Sequence, residues 1–385
     1  MKRGKKEEEE EEDQPSGMDS LPHDIALNII SRLPVTSVIQ FRFVCRAWHK
    51  LSHDPLLIDL QLSQAAKDNP FLIFQGEYDH PIRNELYLVE LPNRHEEGRV
   101  LKVYPPFCDS TAELNVVGSC DGLLCIWDSY ANAVYIYNPF TRNYRELPKS
   151  NQLPDQNVDF GFGFDPKTNL YKVVKMVHCR IVYNRDGCSY SQSEVQVLSL
   201  GSNTWRSVGE VPYCLERRSS EAPLVNGRLH WLTRNHPPRI REIVSFDLAD
   251  EKFRDVPKPD CVKLKYRAYP LAVLGGCLAA IVRGSEIWVM KEYNVKESWV
   301  KVFNVGAYWP SLQHQGLEQS RGILIKLLCP LKNGELLLEY KGSNLASYDP
   351  KSRKFKQLNF PGMPNLFRTV VLAGSLNWID IPLGR

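Results

Sequence analysis

The spacing of apolar residues changes once along the chain. From residue 19 to about residue 62 it is helical. Ile25, Ile29, Ile30 and Leu33 recur every three or four positions, which gathers them on one helix face. Ser20 is placed to cap this helix, Pro22 suits its first turn, and Asp24 faces the positive end of its dipole. Pro34 stops it. Ser37 followed by Gln40 has the spacing of a capping box for a second helix. The apolar face of that helix is Val38, Phe41, Val44, Cys45 and Trp48. Pro55 limits it, and a short third helical piece is expected beyond.

From about residue 70 the pattern alternates. Runs such as Phe71–Phe74, Leu86–Val89, Leu123–Trp127, Val134–Tyr137, Tyr171–Val177 and Val370–Ala373 are rich in β-branched and aromatic residues and bounded by Gly, Pro, Asn and Asp. They read as strands. The runs also repeat. One half of the unit is an apolar run, a glycine turn and a second apolar run, as at Asp121-Gly122, Asn226-Gly227, Gly275-Gly276, Asn333-Gly334 and Ala373-Gly374. Asn-Gly and Asp-Gly between apolar runs mark tight hairpins, because the turn needs positive φ. The other half is a strand, a turn, an aromatic residue and often a proline: Tyr137-Asn138-Pro139-Phe140-Thr141 with Tyr144 and Pro148, Phe246-Asp247 with Phe253 and Pro257, Tyr348-Asp349-Pro350 with Phe355 and Pro361. Divergent copies surround Trp205 and Trp299.

The units recur about every 40–55 residues, the period of propeller blades. Units fall near 116–148, 158–212, 220–257, 270–305 and 323–360. A last blade would pair strands near 367–380 with strands near 70–92 and close the ring. A small sheet cannot bury both its faces alone, and blades set radially cover one another. The expected fold is α+β: a small helical module at residues 18–62, then an all-β, kelch-like propeller over 70–385, of about six blades with seven the alternative.

The helical module is too short to bury Leu21, Pro22, Ile25, Ile29, Leu33, Val38, Phe41, Val44 and Trp48 within itself. Either the helices cap the β domain or they enter a partner's groove. Here a resemblance becomes specific. Leu21-Pro22-His23-Asp24-Ile25, Arg32-Leu33-Pro34, Val44-Cys45-Arg46-Ala47-Trp48 and Asp54-Pro55 resemble an F-box from end to end. Val117-Gly118-Ser119-Cys120-Asp121-Gly122-Leu123, Tyr137-Asn138-Pro139-Phe140-Thr141 and Phe160-Gly161-Phe162-Gly163-Phe164-Asp165 resemble the F-box-associated, kelch-like domains of plant F-box proteins. Only Gly275-Gly276 supplies the double glycine of a kelch repeat, which departs from that pattern. The resemblance implies a Skp-type adaptor on the F-box, a cullin beyond it, and a target protein held by the propeller. It carries adaptor contact onto Leu21, Pro22, Ile25, Ile29, Leu33, Pro34, Val38, Phe41, Val44, Cys45 and Trp48. Target contacts are expected on three atypical loops, Tyr183–Ser191, Thr233–Arg241 and Tyr308–Ser320, with Tyr183, Trp309 and His314 as candidates.

Charge and chemistry narrow the picture. The net charge is +3, yet residues 1–17 set Lys2, Arg3, Lys5 and Lys6 against Glu7–Glu12 and Asp13. This acidic tail offers nothing to bury and is expected to be disordered. The remaining positive charge is scattered, so no nucleic-acid stripe emerges. Ten cysteines, most within apolar runs, suit a reducing compartment, the nucleus or the cytoplasm. The charged start is not a secretory signal, and no apolar run approaches the ~18 residues of a membrane span. Gly118-Ser119-Cys120-Asp121-Gly122 has the letters of a nucleophile elbow, but a β run follows where that chemistry needs a helix. Gly161 and Gly163 lack a third glycine, and no Cys/His set completes a metal site. No catalytic residue, cofactor or metal is implied. The rivals are a propeller enzyme of oxidase or glycosidase type with an incidental helical cap, and an F-box protein working as a scaffold without the ligase.

Overall fold

The computed structural model describes residues 21–76, 85–91, 98–109, 111–150, 157–183, 189–211, 215, 221–233, 241–260, 269–282, 285–306, 325–340, 344–362 and 367–377 (backbone only at 157, 178–183 and 189–193). Four helices come first: α1 His23–Ser31, α2 Val35–Phe41, α3 Arg46–Leu51 and α4 Pro55–Ala65. Their boundaries correct the sequence reading in four places. Pro22 is the N-cap of α1, not part of its first turn, and its carbonyl accepts from the amides of Ile25 and Ala26. Pro34 both ends α1 and starts α2, so Ser37 lies inside α2 and no capping box forms. A proline here needs no side-chain cap, because its fixed φ already matches helix entry.

The expected second helix is broken. Arg42 closes α2, Cys45 is extended at φ −158°, and α3 starts at Arg46. In one continuous helix Phe41 and Trp48 would stand about 10 Å apart along the axis. The break instead brings their rings edge to face at 4.4 Å. The third piece is no short appendage: α4 has 11 residues, the longest of the four, capped by the Asp54 side chain and opened by Pro55.

Twenty-four described strands, β1 to β24 in chain order, make six antiparallel sheets of four. Five are consecutive: β4–β7 (Leu114–Cys120, Leu123–Asp128, Ala133–Tyr137, Tyr144–Glu146), β8–β11 (Asn157–Asp165, Leu170–Tyr183, Ser189–Ser199, Arg206–Val211), β12–β15 (Leu224–Val225, Arg228–Leu232, Ile243–Asp247, Lys252–Val256), β16–β19 (Leu271–Leu274, Cys277–Val282, Glu286–Met290, Trp299–Asn304) and β20–β23 (Ile325–Pro330, Leu336–Tyr340, Asn344–Asp349, Lys354–Leu358). The sixth joins both ends of the chain. Terminal β24 (Phe367–Leu372) pairs with β1 (Phe71–Gly76), Phe71 facing Leu372 and Gly76 facing Phe367, followed by β2 (Leu86–Glu90) and β3 (Arg99–Val103). Leading strands meet around the ring: β24 with β4, β4 with β8, β16 with β20 and β20 with β24, while β13, next to the two-residue β12, meets β8 on one side and β16 on the other. This is a six-bladed propeller closed by its last strand.

The core is six apolar wedges, one between each pair of neighbouring blades. Two devices repeat across the wedges. The Asn or Asp side chains of Asn138, Asp165, Asp247 and Asp349 each accept from backbone amides two or three residues on. Each such turn closes on a residue of positive φ, namely Arg142, Asn169, Glu251 and Arg353. This is the physical content of the Asn/Asp motif read from the sequence. The tryptophans of the divergent copies serve as ties: Trp205 Nε1 donates to the Pro148 carbonyl at 2.6 Å and Trp299 Nε1 to that of Pro257 at 2.8 Å. Trp205, just before the outermost strand of its own blade, and Trp299, at the start of the outermost strand of its own, each reach the proline that follows the outermost strand of the blade before.

After β24, residues 373–377 cross onto the next two blades. The Asn138 amide donates to the carbonyls of Ser375 (3.1 Å) and Asn377 (2.9 Å). Asn377 in turn donates to the Asp121 carbonyl (2.8 Å) and to Tyr171 Oη (3.2 Å), and Tyr171 donates to Asp121 Oδ2. Gly122, at φ +77°, leaves the passage open: a Cβ there would stand 2.1 Å from that of Ser375. The Cys120-Asp121-Gly122 segment is thus a hairpin turn against which Ser375 and Asn377 pack, and the Cys120 side chain is buried. Burial pushes the Cys125 thiol strongly upward, away from the nucleophilic form.

Candidate docking surface

The helices stand on one rim of the ring. Leu27, Ile30, Val35, Val38, Leu57 and Ile58 are buried in the same wedge as Ile73, Leu86, Tyr137, Phe140, Leu372 and Leu376. Val35 meets Gly374 beside Phe71, and Lys332, in the turn after β20, donates to Asn69 and Asp68 at 2.8 Å each. Both readings of the helical module are therefore partly met: one side caps the β domain, and the other faces out.

α4 holds α1 at both ends. At the first, His23 Nε2 lies 2.8 Å from Asp54 Oδ2, while Asp54 Oδ1 accepts the Leu56 amide that opens α4. At the second, buried Gln61 donates to the carbonyls of Ile30, Ser31 and Leu33, at and just past the end of α1, where helix carbonyls run out of helical donors. Ala26, Leu27 and Ile30 turn inward, and the opposite face is left in solvent with Ile25 46% and Ile29 47% exposed.

The remaining adaptor candidates divide by burial. Leu21, Pro22, Pro34 and Cys45 are exposed, and Val44 in the loop between α2 and α3 is 67% exposed. Leu33, Phe41 and Trp48 are half-buried. Leu33 and Phe41 pack on the wedge, and Trp48 braces Phe41. Val38 is 0% exposed. It supports the module from inside, the one residue of that set with no surface to offer. Its place on the apolar stripe gave no hint of this, since the break at 42–45 turns Val38 toward the ring and Val44 away from it. Three exposed apolar residues outside the predicted set lie on the same module: Phe43, Leu56 and Leu60. Helical periodicity misses Phe43 because it stands in the break, and misses Leu56 and Leu60 because α4 was read as a minor piece.

The helical module matches a family model described as "F-box-like" over residues 18–58, and the ring matches "F-box associated beta propeller domain" over residues 81–374. The chain belongs to the plant F-box proteins that carry a C-terminal propeller. It is 45% identical to the Arabidopsis thaliana F-box protein At3g07870, over 95% of this chain and 94% of the relative. With the F-box protein CPR1 of the same plant it shares 29% identity over 93% and 89%. With the F-box/kelch-repeat protein At3g23880, also from Arabidopsis, it shares 25% over 74% and 79%.

Of the expected target contacts, Trp309 and His314 lie outside the described residues, and Tyr183 is described only as the backbone end of β9. The topology nevertheless fixes where these connections leave the ring. Phe71, Leu372, the Asp121-Gly122 turn and the β20–β21 turn stand at the F-box rim. Strand alternation then puts the facing ends of β9 and β10, of β13 and β14, and of β19 and β20 at the opposite rim. These ends bound the three atypical loops, whose interiors lie outside the described residues. Among the described residues no cluster of three or more His, Cys, Asp or Glu is arranged to hold a metal ion, and no helix is long and apolar enough to cross a membrane.

Proposed function

We propose that this F-box protein is the target-binding subunit of a Skp–cullin–F-box ubiquitin ligase. One observation carries the reading. α1 is clamped to α4 at both ends and packed on the ring, yet it keeps Ile25 and Ile29 in solvent, and the Val44 loop of the same module is exposed as well. A rigid, backed apolar face costs little to order on binding, which is what an anchor for a partner's groove requires. The Skp-type adaptor is the partner that the family supplies, and the cullin follows through it.

The target would then lie on the opposite rim, where the long connections of the ring emerge. Rigid coupling of the two ends supports this division of labour. The wedge that seats the F-box is the wedge that closes the ring, so a target held at one rim keeps a fixed position relative to the adaptor at the other. Ubiquitin transfer would gain its rate from that proximity. In this reading the chain supplies neither nucleophile nor cofactor, and it works in the nucleus or the cytoplasm.

The test is purification of the tagged chain from plant cells beside a version lacking residues 18–62. The reading expects adaptor and cullin with the full chain only, and accumulation of a common co-purifying target with the truncated one. Equal recovery of the cullin from both would refute it.

A further inference from the structure

The F-box carries a charge pattern that its apolar docking face does not use. From Ile25 to His53 the chain has no Asp or Glu, but it has Arg32, Arg42, Arg46, Lys50, His49 and His53. Arg46, His49 and Lys50 are exposed along α3. Beside them His49, Lys50, His53, Asp54 and Pro55 line a concavity of about 460 Å³. The lone carboxylate in that lining, Asp54, meets His23 and accepts from Leu56 and offsets Lys50; the net positive charge of the face is that of the exposed Arg46 beside it, with Arg42 at the end of α2.

The complement sits in the same chain. Glu7–Glu12 and Asp13 form a run of seven acids. The described chain begins at Leu21, two residues before His23, which touches Asp54 on the wall of the concavity. From Asp13 to Leu21 the chain can stretch about 28 Å at most and spans about 16 Å on average if flexible. Both distances suffice to lay the run on α3, at an effective concentration no free partner matches.

We propose that the acidic run Glu7–Asp13 occupies the basic face of α3, over the concavity of His49, Lys50 and His53. That face adjoins Val44, Cys45 and Trp48, so the occupied form shades the docking surface and competes with the adaptor for it. The contact stands apart from the ligase reading; its effect on adaptor affinity rests on it. Long-range charge pairing of this kind is screened once the Debye length falls to about 4 Å near 0.5 M salt.

Zero-length carbodiimide cross-linking of the full chain, followed by peptide mapping, tests the contact. At low salt Lys50 should join Glu7–Asp13 more often than any lysine of the ring does, with links to Lys2, Lys5 and Lys6 of the tail as internal reference. The Lys50 link should vanish near 0.5 M salt and in Arg42→Glu/Arg46→Glu, a variant whose unchanged melting temperature certifies its fold. Equal linking to Lys332, Lys351 and Lys354, or a Lys50 link indifferent to salt and to charge reversal, overturns the proposal. Titration with a purified Skp-type adaptor tests the consequence. Replacing all seven acids by Gln or Asn should tighten binding about fivefold at low salt, as expected if the tail occupies ~80% of molecules, and should change nothing at high salt. Lys50 links without an affinity change would keep the contact and refute the competition. Absence of any adaptor binding, tail or no tail, would instead count against the ligase reading while leaving the contact to the cross-links.

Discussion

Replacing Asn138 by alanine should loosen the ring more than any single apolar truncation of the same volume. Asn138 is fully buried and makes four hydrogen bonds: its amide donates to the carbonyls of Ser375 and Asn377, and its Oδ1 accepts from the amides of Phe140 and Thr141. Phe140 and Thr141 are themselves buried, so their amides lose their acceptor in a dry place. Each buried polar group left without a partner costs about 1–3 kcal/mol, and water entering the gap recovers part of this. The expected loss is therefore about 3–5 kcal/mol. It falls on the segment that ties the closing strand β24 to the next blade. The assay is urea unfolding followed by tryptophan fluorescence, with Asn138→Asp as companion. Aspartate keeps an acceptor for the Phe140 and Thr141 amides but turns a second carboxylate oxygen toward the Ser375 and Asn377 carbonyls, so at neutral pH it should lose at least as much stability as alanine. A loss below about 1 kcal/mol for Asn138→Ala would mean that the chain end is not held as described.

Three further outcomes follow from the packing and the charges. Val38→Ala should cost about 2 kcal/mol in the same assay, through lost burial and a residual cavity, and should leave adaptor affinity unchanged below the melting transition. Gly122→Ala meets both positive φ and Ser375 at 2.1 Å; it should lower the melting temperature by several degrees, whereas Gly201→Ala, with open space around it, should lower it less despite φ +99°. In a fully buried site His230 Nδ1 donates to the Pro223 carbonyl and Nε2 accepts from Tyr293 Oη, and burial holds its pKa down to about 4. The unfolded chain takes up that proton near 6.5 and the folded one only near 4. Stability is therefore untouched above pH 6.5 and falls by about 1.4 kcal/mol per pH unit between 6.5 and 4. His230→Gln should flatten that slope in urea titrations at several pH values.

The repeat was legible because its turns are chemically forced. Asp121-Gly122 and Asn226-Gly227 need positive φ, and Asn138, Asp247 and Asp349 need a short polar side chain to close their turns, so the sequence had few alternatives. Blade spacing and the pairing of residues near 70 with those near 370 came from the same signals. The outer strands were harder to see. Lys354–Leu358, Lys252–Val256 and Arg99–Val103 are mostly exposed and charged, and a strand with solvent on one face and one edge carries little apolar pattern. The helices misled for another reason. Val38, Phe41, Val44 and Trp48 keep helical spacing across a break that periodicity cannot register. Only packing against the ring separates the inward Val38 from the outward Val44. Gln61 and Asn377, which carry much of the local order, make no pattern at all; their roles depend on carbonyls dozens to hundreds of residues away.

The central claim is that α1 presents a backed apolar face to the Skp-type adaptor. Its most direct test is calorimetric titration of the adaptor into the wild-type chain and into Ile25→Asp/Ile29→Asp. Both side chains are half in solvent, so the double variant should keep its melting temperature within a few degrees. The account predicts that it loses at least about a hundredfold in affinity, near 3 kcal/mol. A folded double variant that binds the adaptor as tightly as wild type would contradict the account.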